Sequence, residues 1–297
     1  MEEVELKKKS VKSAKSVKRD PKELFQDKVF LVSVIVLLAI TICAIFAPYV
    51  SHYDPNKMFI QERLTPPIFL KGGTVKFILG TDGLGRDVLT RILYGLRNSL
   101  LIAFLSVAVI FGIGIFVGLL SGIYGKKVDS IIMTAADIQL SVPLLVVAII
   151  LLALVRPSVP MIILVLSIAG WPAYARGIRA SVLSEKSKDY ILAARIMGAS
   201  PWRILRKYFL YSVFLSTVGF IVLEFGLMII WEALLSFLGI GIQPPDVSLG
   251  TIMGDGLNYL VSAWWITTLP GIFIMIIVLC LSFMSRKVIR LLSPKAG

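Results

Sequence analysis

The stretch DYILAARIMGASPWRILRKYFL, Asp189–Leu210, decides how this chain is read. It is basic and helix-forming, and it is wedged between two strongly apolar runs. A chain that only had to cross a bilayer would need a short turn there. This one spends more than thirty residues, about 177–208, so the segment is expected to touch something beyond the membrane. Ser187 can cap a helix starting near Lys188. Ala193 and Ala194 offer a small, smooth surface, Gly198 turns the chain, and Pro201 leads a second helix. Arg195, Arg203, Arg206 and Lys207 flank it. Two readings fit: a short helix seated in a groove on another protein, or an amphipathic hairpin on the lipid surface.

Working outward, the chain has 297 residues, 57% hydrophobic and 16% charged, with a mean hydropathy of +0.87. Soluble domains average roughly 45–50% apolar and about 25% charged. The apolar residues fall in runs of bilayer-spanning length, about 20 residues each. Six spans are expected: Val29–Val50, Leu100–Tyr124, Ile131–Val155, Met161–Arg176, Phe209–Leu238 and Trp264–Met284. The fold class is therefore all-α, a polytopic membrane protein with six transmembrane helices and a cytoplasmic helix between the fourth and fifth. A basic tail over 1–28 precedes the transmembrane domain, 29–292, and a short cytoplasmic C-terminus, 293–297, follows it.

The net charge of +13 does not mark a nucleic-acid binder. Segments assigned to the inside carry 23 Lys/Arg against 9 Asp/Glu, those outside 8 against 6. That is the positive-inside asymmetry, and it keeps both termini cytoplasmic. The loop 51–99 holds seven Lys/Arg yet falls outside; it is long enough for the rule to weaken. Within it, the apolar spacing over Arg86–Leu96 predicts an amphipathic helix, on the outer membrane face or packed as an ordinary loop helix. Cys43 and Cys280 each sit in an apolar span and read as free thiols, and His52 as a surface histidine.

Gly114, Gly118 and Gly122 line one face of the second span and predict close backbone packing. Pro143 and Pro172 free backbone carbonyls and permit bends. No catalytic motif stands out, and Gly80–Asp87, GTDGLGRD, lacks the Gly-Lys-Ser/Thr ending of a phosphate-binding loop. Asp137, Glu224 and Glu232 lie in spans, where a carboxylate is costly and faces a polar partner or water. Glu224 and Glu232 are eight residues apart, about 80° around one helix. With Trp231 they are the candidate solute pathway; the alternative is that they hold neighbouring helices together.

At Asp189–Leu210 the sequence resembles the permease subunits of binding-protein-dependent ABC importers. Their shared motif reads Glu-Ala-Ala, three residues, Gly, nine residues, Ile-x-Leu-Pro. Ala193, Ala194 and Gly198 match in register, while Leu192 replaces the Glu and Tyr211 the Pro. Leu79–Gly95, Gly170–Ser184, Glu232–Pro245 and Ser262–Gly271 sharpen the likeness to the peptide/nickel branch, and there to the C-type subunit of dipeptide and oligopeptide permeases. The resemblance spans about Asp27–Leu292. It implies a heterodimeric pore with a second homologous permease in the prokaryotic inner membrane. It further implies two cytoplasmic ATP-binding subunits and an extracytoplasmic solute-binding protein. ATP and Mg would sit on the partner ATPases, with no cofactor, metal or catalytic site on this chain. Lys188–Ala199 would be the coupling helix, contacting an ATPase through Asp189, Tyr190, Ala193, Ala194, Arg195, Gly198 and Ala199. The outer loops Gly80–Gly95 and Gly239–Trp265 would face the binding protein, and Trp264 and Trp265 suit an interface belt. Peptide is the expected solute. Nickel or an oligosaccharide is the rival within the family, and an ion-coupled secondary transporter using Asp137, Glu224 and Glu232 is the rival outside it.

Overall fold

The computed structural model describes residues 27–155 and 157–292. All but Asp27 and Lys28 of the expected basic tail, and all of 293–297, lie outside the described residues. The helices, in order, are α1 (Lys28–Ile45), α2 (Ala47–Val50), α3 (Val88–Tyr124), α4 (Lys126–Leu140) and α5 (Leu144–Leu154). Then come α6 (Val159–Lys186), α7 (Asp189–Ile196), α8 (Pro201–Ile204), α9 (Leu210–Phe237), α10 (Leu249–Asp255) and α11 (Trp265–Leu292). Helices α1, α3, α6, α9 and α11 are long and apolar enough to cross a bilayer alone; α4 and α5 make a sixth crossing if the bent pair counts as one.

Three spans differ from expectation; the fourth, expected over Met161–Arg176, continues to Lys186 as α6 and takes up the first ten residues of the expected cytoplasmic loop. The helix expected over Arg86–Leu96 is not separate: Asp87 Oδ2 accepts the Thr90 N–H at 2.8 Å and starts a helix that continues unbroken for 37 residues. Arg91 interrupts the apolar run in sequence but not the helix, because carboxylates from elsewhere neutralise it. The third span is not one straight helix. Its halves meet at 84° across Ser141–Pro143. Pro143 lacks an N–H and pushes the preceding residue out of helical geometry. Pro172, by contrast, stays inside α6. The carbonyl it orphans, Ile168 O, accepts from the Gln139 amide on α4, and the Gln139 oxygen accepts from Trp171 Nε1 at 3.0 Å.

The glycine stripe does what its spacing predicts. A Cβ at Gly118 would stand 2.7 Å from Ala175 O, so α3 and α6 meet backbone to backbone. Around this contact Ile102, Ile110, Ile162 and Leu166 are fully buried. Helix α11 packs on both α9 and α1. The ion pair Lys287–Asp27, 3.0 Å, ties the last helix to the first, so both ends of the described chain leave at one end of the bundle. The α6–α7 turn lies at that same end, where Gly122 meets Val182. On α1, Val29, Val32, Ile35, Leu38 and Ile42 remain exposed, an apolar face for lipid or another membrane chain.

Candidate functional site

The turn into α7 is built by its neighbours. Lys186 Nζ donates to Gly122 O and Ile123 O, both at 2.8 Å, and so caps the C-terminus of α3. Ser187 does not cap α7; its hydroxyl donates back to Ser184 O at 2.9 Å, and the helix begins at Asp189. One face of α7 is anchored: Ile191 is fully buried among Ile178 and Val182 of α6, Ile204 of α8, Phe209 of the turn that follows and Val213 of α9. Ala194 is on this inner face, 5% exposed, and so is not part of the smooth outer surface expected of it. Ala193, Leu192, Ile196 and Met197 form the exposed face, and Asp189 and Tyr190 are exposed beside them. Arg195 belongs to the same helix.

Gly198 ends the helix at φ +78°, where a side chain would be strained. The Ala199 N–H then reaches back to Ala194 O at 2.9 Å, the six-to-one bond of a glycine C-cap. Ser200 accepts the Arg203 N–H at 3.3 Å and starts α8, and a wide turn, Leu205–Phe209, leads into α9. A helix, a glycine turn and a second helix are all present, but α7, at eight residues, is four shorter than the expected Lys188–Ala199.

The acids in the spans divide into two kinds. Glu232 is fully buried; Ser99 on α3 donates to its Oε2 at 2.6 Å and Ser236 to its Oε1 at 2.7 Å. Ser99 Oγ accepts the Leu249 N–H at 3.4 Å, and Ser236 Oγ accepts the Ile242 N–H at 3.1 Å. One carboxylate thus joins α3, α9, α10 and the intervening loop. Glu224, 5% exposed, accepts from the Tyr174 hydroxyl on α6, whose ring packs 4.4 Å from Phe111. Both glutamates have the geometry of interhelical clamps. Trp231, half-buried, packs on the main core. Asp137 differs: its side chain is 65% exposed and pairs with Arg176, itself 44% exposed, on α6. The structure therefore does not bring the four pathway candidates together on one surface.

The sequence reading missed two ionic assemblies. On α6, Arg179 grips Asp129 of α4 with two bonds, 2.5 and 2.6 Å, while Ser121 donates to the same acid at 2.5 Å. At the opposite end, the loop Gly80–Asp87 folds around Asp82, 1% exposed. Its Oδ1 accepts the Leu84 and Arg86 amides, each at 2.9 Å; its Oδ2 accepts Arg86 Nε at 2.7 Å and Arg91 Nη1. Both arginines also reach Asp255 of α10, at 2.9 and 3.0 Å. Burial opposes ionisation of Asp82, but Arg91, Arg86 and the two amides outweigh it and hold its carboxyl below the usual range. Trp265 belongs to this assembly, not to a lipid belt: it is 4% exposed and its Nε1 donates to Thr81 O at 3.2 Å. Arg86, Arg91 and Asp255 also line a cleft of about 460 Å³ with Gln243 and Asp246. The Gly-Arg-Asp pattern was visible in sequence; its partner Asp255, far along the chain, was not.

Residues 114–296, which include α7, match the family described as binding-protein-dependent transport system inner membrane component. The chain belongs to this family of transport permeases. Residues 22–67 of the permease match the N-terminal transmembrane domain of oligopeptide transport permease C. Over 259 residues it is 38% identical to the di/tripeptide transport system permease protein of Pseudomonas aeruginosa, covering 87% of this chain and 86% of that one. It is 36% identical over 274 residues to the dipeptide transport system permease protein of Escherichia coli, covering 91% and 90%. In fold it is similar to the inward-facing MetNI methionine ABC transporter, with TM-score 0.59 at 20% identity over 69% of this chain and 98% of that one. An amino acid ABC transporter gives 0.55 at 18% identity, over 68% and 94%. The permease is thus an all-α membrane subunit of an ABC importer, a transport component and not an enzyme.

Proposed function

We propose that this permease is one half of a heterodimeric pore that imports di- or oligopeptides by alternating access, with α7 as its coupling helix. The observation that carries the reading is the two-sidedness of α7. Its outer face, Ala193 with Leu192, Ile196 and Met197, is apolar and exposed, suited to a groove on a partner. Its inner face is keyed by Ile191 into α6 and α9. Two cytoplasmic ATPase subunits carry ATP and Mg; their closure pushes α7, and the rigid contact passes the motion into two membrane helices. That is a two-state element biased from both ends. The relatives named for dipeptide and di/tripeptide transport support the choice of solute.

In this reading both termini and α7 are cytoplasmic, in the inner membrane of a prokaryote. The cleft holding Arg86, Arg91 and Asp255 faces outward, toward a solute-binding protein. Asp137 with Arg176, exposed on this subunit, meets the second permease or the solute path, while Glu224 and Glu232 keep the helices that move together in register.

The test is uptake and ATP hydrolysis by the assembled complex in proteoliposomes. Ala193→Arg, on the exposed face, and Gly198→Pro, at the turn, are each expected to cut peptide uptake per ATP hydrolysed at least tenfold. Size-exclusion profiles should stay those of the intact complex. Normal coupled uptake by both variants would remove α7 from the role.

A further inference from the structure

At the end where α1 begins and α11 finishes, a cavity of about 230 Å³ opens between the two helices. Phe30 and Phe283 wall it, and Arg286, Lys287, Arg290 and Asp27 line it. Three cations face one carboxylate, and that carboxylate is already engaged. Asp27 Oδ2 pairs with Lys287 at 3.0 Å, and Oδ1 accepts the Val29 and Phe30 amides at 3.0 and 3.3 Å. Arg286 lies 5.5 Å from the Phe283 ring, and neither Arg286 nor Arg290 has an ion pair among the described residues. Both arginines are exposed, one turn apart on a single face of α11.

The same face continues into the apolar part of the helix as Phe283, Leu279 and Met275, each more than 40% exposed and spaced by four. Across the cavity, Val29 and Val32 of α1 are exposed as well. An apolar stripe that ends in two uncompensated guanidinium groups has the polarity of a phospholipid. Guanidinium groups bind phosphate oxygens in paired hydrogen bonds, and basic pockets between membrane helices hold anionic headgroups. We propose that this cavity binds the phosphate of an anionic phospholipid, with an acyl chain along Met275, Leu279 and Phe283. The phosphate seats on Arg286 and Arg290, and Lys287 stays with Asp27. The lipid then bridges the first and last spans of the subunit.

The experiment is native mass spectrometry of the full chain with whatever subunits co-purify, stripped of lipid and titrated with phosphatidylglycerol, phosphatidylcholine or inorganic phosphate. Phosphatidylglycerol should bind the parent protein well above phosphatidylcholine. In the variant R286Q/R290Q its apparent affinity should fall about 30-fold, at about 1 kcal/mol for each cation removed. R286K/R290K should keep most of it, and K126Q/K127Q, at the same end of the bundle, all of it. Should the double glutamine variant not assemble, Arg290→Gln alone should show a fall of about fivefold. Equal binding of phosphatidylcholine, unchanged affinity in R286Q/R290Q and Arg290→Gln, or displacement of the lipid by millimolar inorganic phosphate would overturn the assignment.

Discussion

At the end of the bundle that carries residues 51–87 and α10, charged groups are buried and paired. At the end that carries α7, apolar groups are exposed and only one face is held. Asp82, Arg86, Arg91 and Asp255 lock the outer loop to α3 and α10, with Trp265 beneath them. At α7, one buried isoleucine and a small apolar cluster anchor a helix of eight residues. The charged groups of the outer loop find their partners within the subunit, while α7 leaves Leu192, Ile196 and Met197 exposed.

The comparison can be broken hardest at Asp82. Asp82→Ala leaves Arg91 buried without its closest partner and should destabilise the outer end by about 3 kcal/mol or more. Asp255→Ala, at a half-exposed carboxylate, should cost under about 1 kcal/mol. Apparent melting temperatures of the detergent-purified variants order the two; equal losses would mean that the network has no buried centre. Next in size, Gly118→Leu forces a side chain into the α3–α6 contact and should cost about 2 kcal/mol, seen as a lower melting temperature and yield. A neutral result would mean that these helices can separate freely. At α7 the effects are smaller: Gly198→Ala should cost about 1 kcal/mol through its left-handed backbone, with uptake reduced more than thermal stability.

The smallest effect is on pH. The folded pKa of Asp82 is depressed, so its contribution is whole above the ordinary carboxylate range and is lost as pH falls through the lower folded value. Burial pushes neighbouring Asp87 the other way, against its Thr90 hydrogen bonds, so its contribution improves as pH falls through its raised value. Trp265 fluorescence should therefore hold steady from neutral pH down through the usual carboxylate range and change only below it. A change already above the usual carboxylate range would show that Asp87, not Asp82, governs this end.

The membrane spans were legible because hydropathy is a local property. The α7 region was legible for the same reason: Gly198 and Pro201 act on their own backbone. Sequence reading failed where a partner lay far along the chain. Arg91 is neutralised by Asp82 and also by Asp255, and the second partner comes 164 residues later, beyond any local pattern. The Tyr174 hydroxyl that Glu224 accepts sits on another helix, a pairing that no local pattern shows. Pro143 and Pro172 are identical letters with different outcomes: Gln139 rescues the carbonyl freed by the second, while the chain bends at the first. Ala194 was misplaced on the outer face because the motif records spacing, not which side of the helix the bundle claims.

Helix α3, 37 residues long, extends about 55 Å, well beyond the roughly 30 Å of hydrocarbon it crosses. One tip is gripped by the Asp82 network and the other by Lys186, one turn of chain from α7. It is therefore a beam pinned at both ends. A tilt of about 5° about its middle carries each tip some 2.4 Å in opposite directions, by the length set by helical rise. For α3 moving as a rigid body, displacement at one face of the membrane is returned at the other as its mirror image.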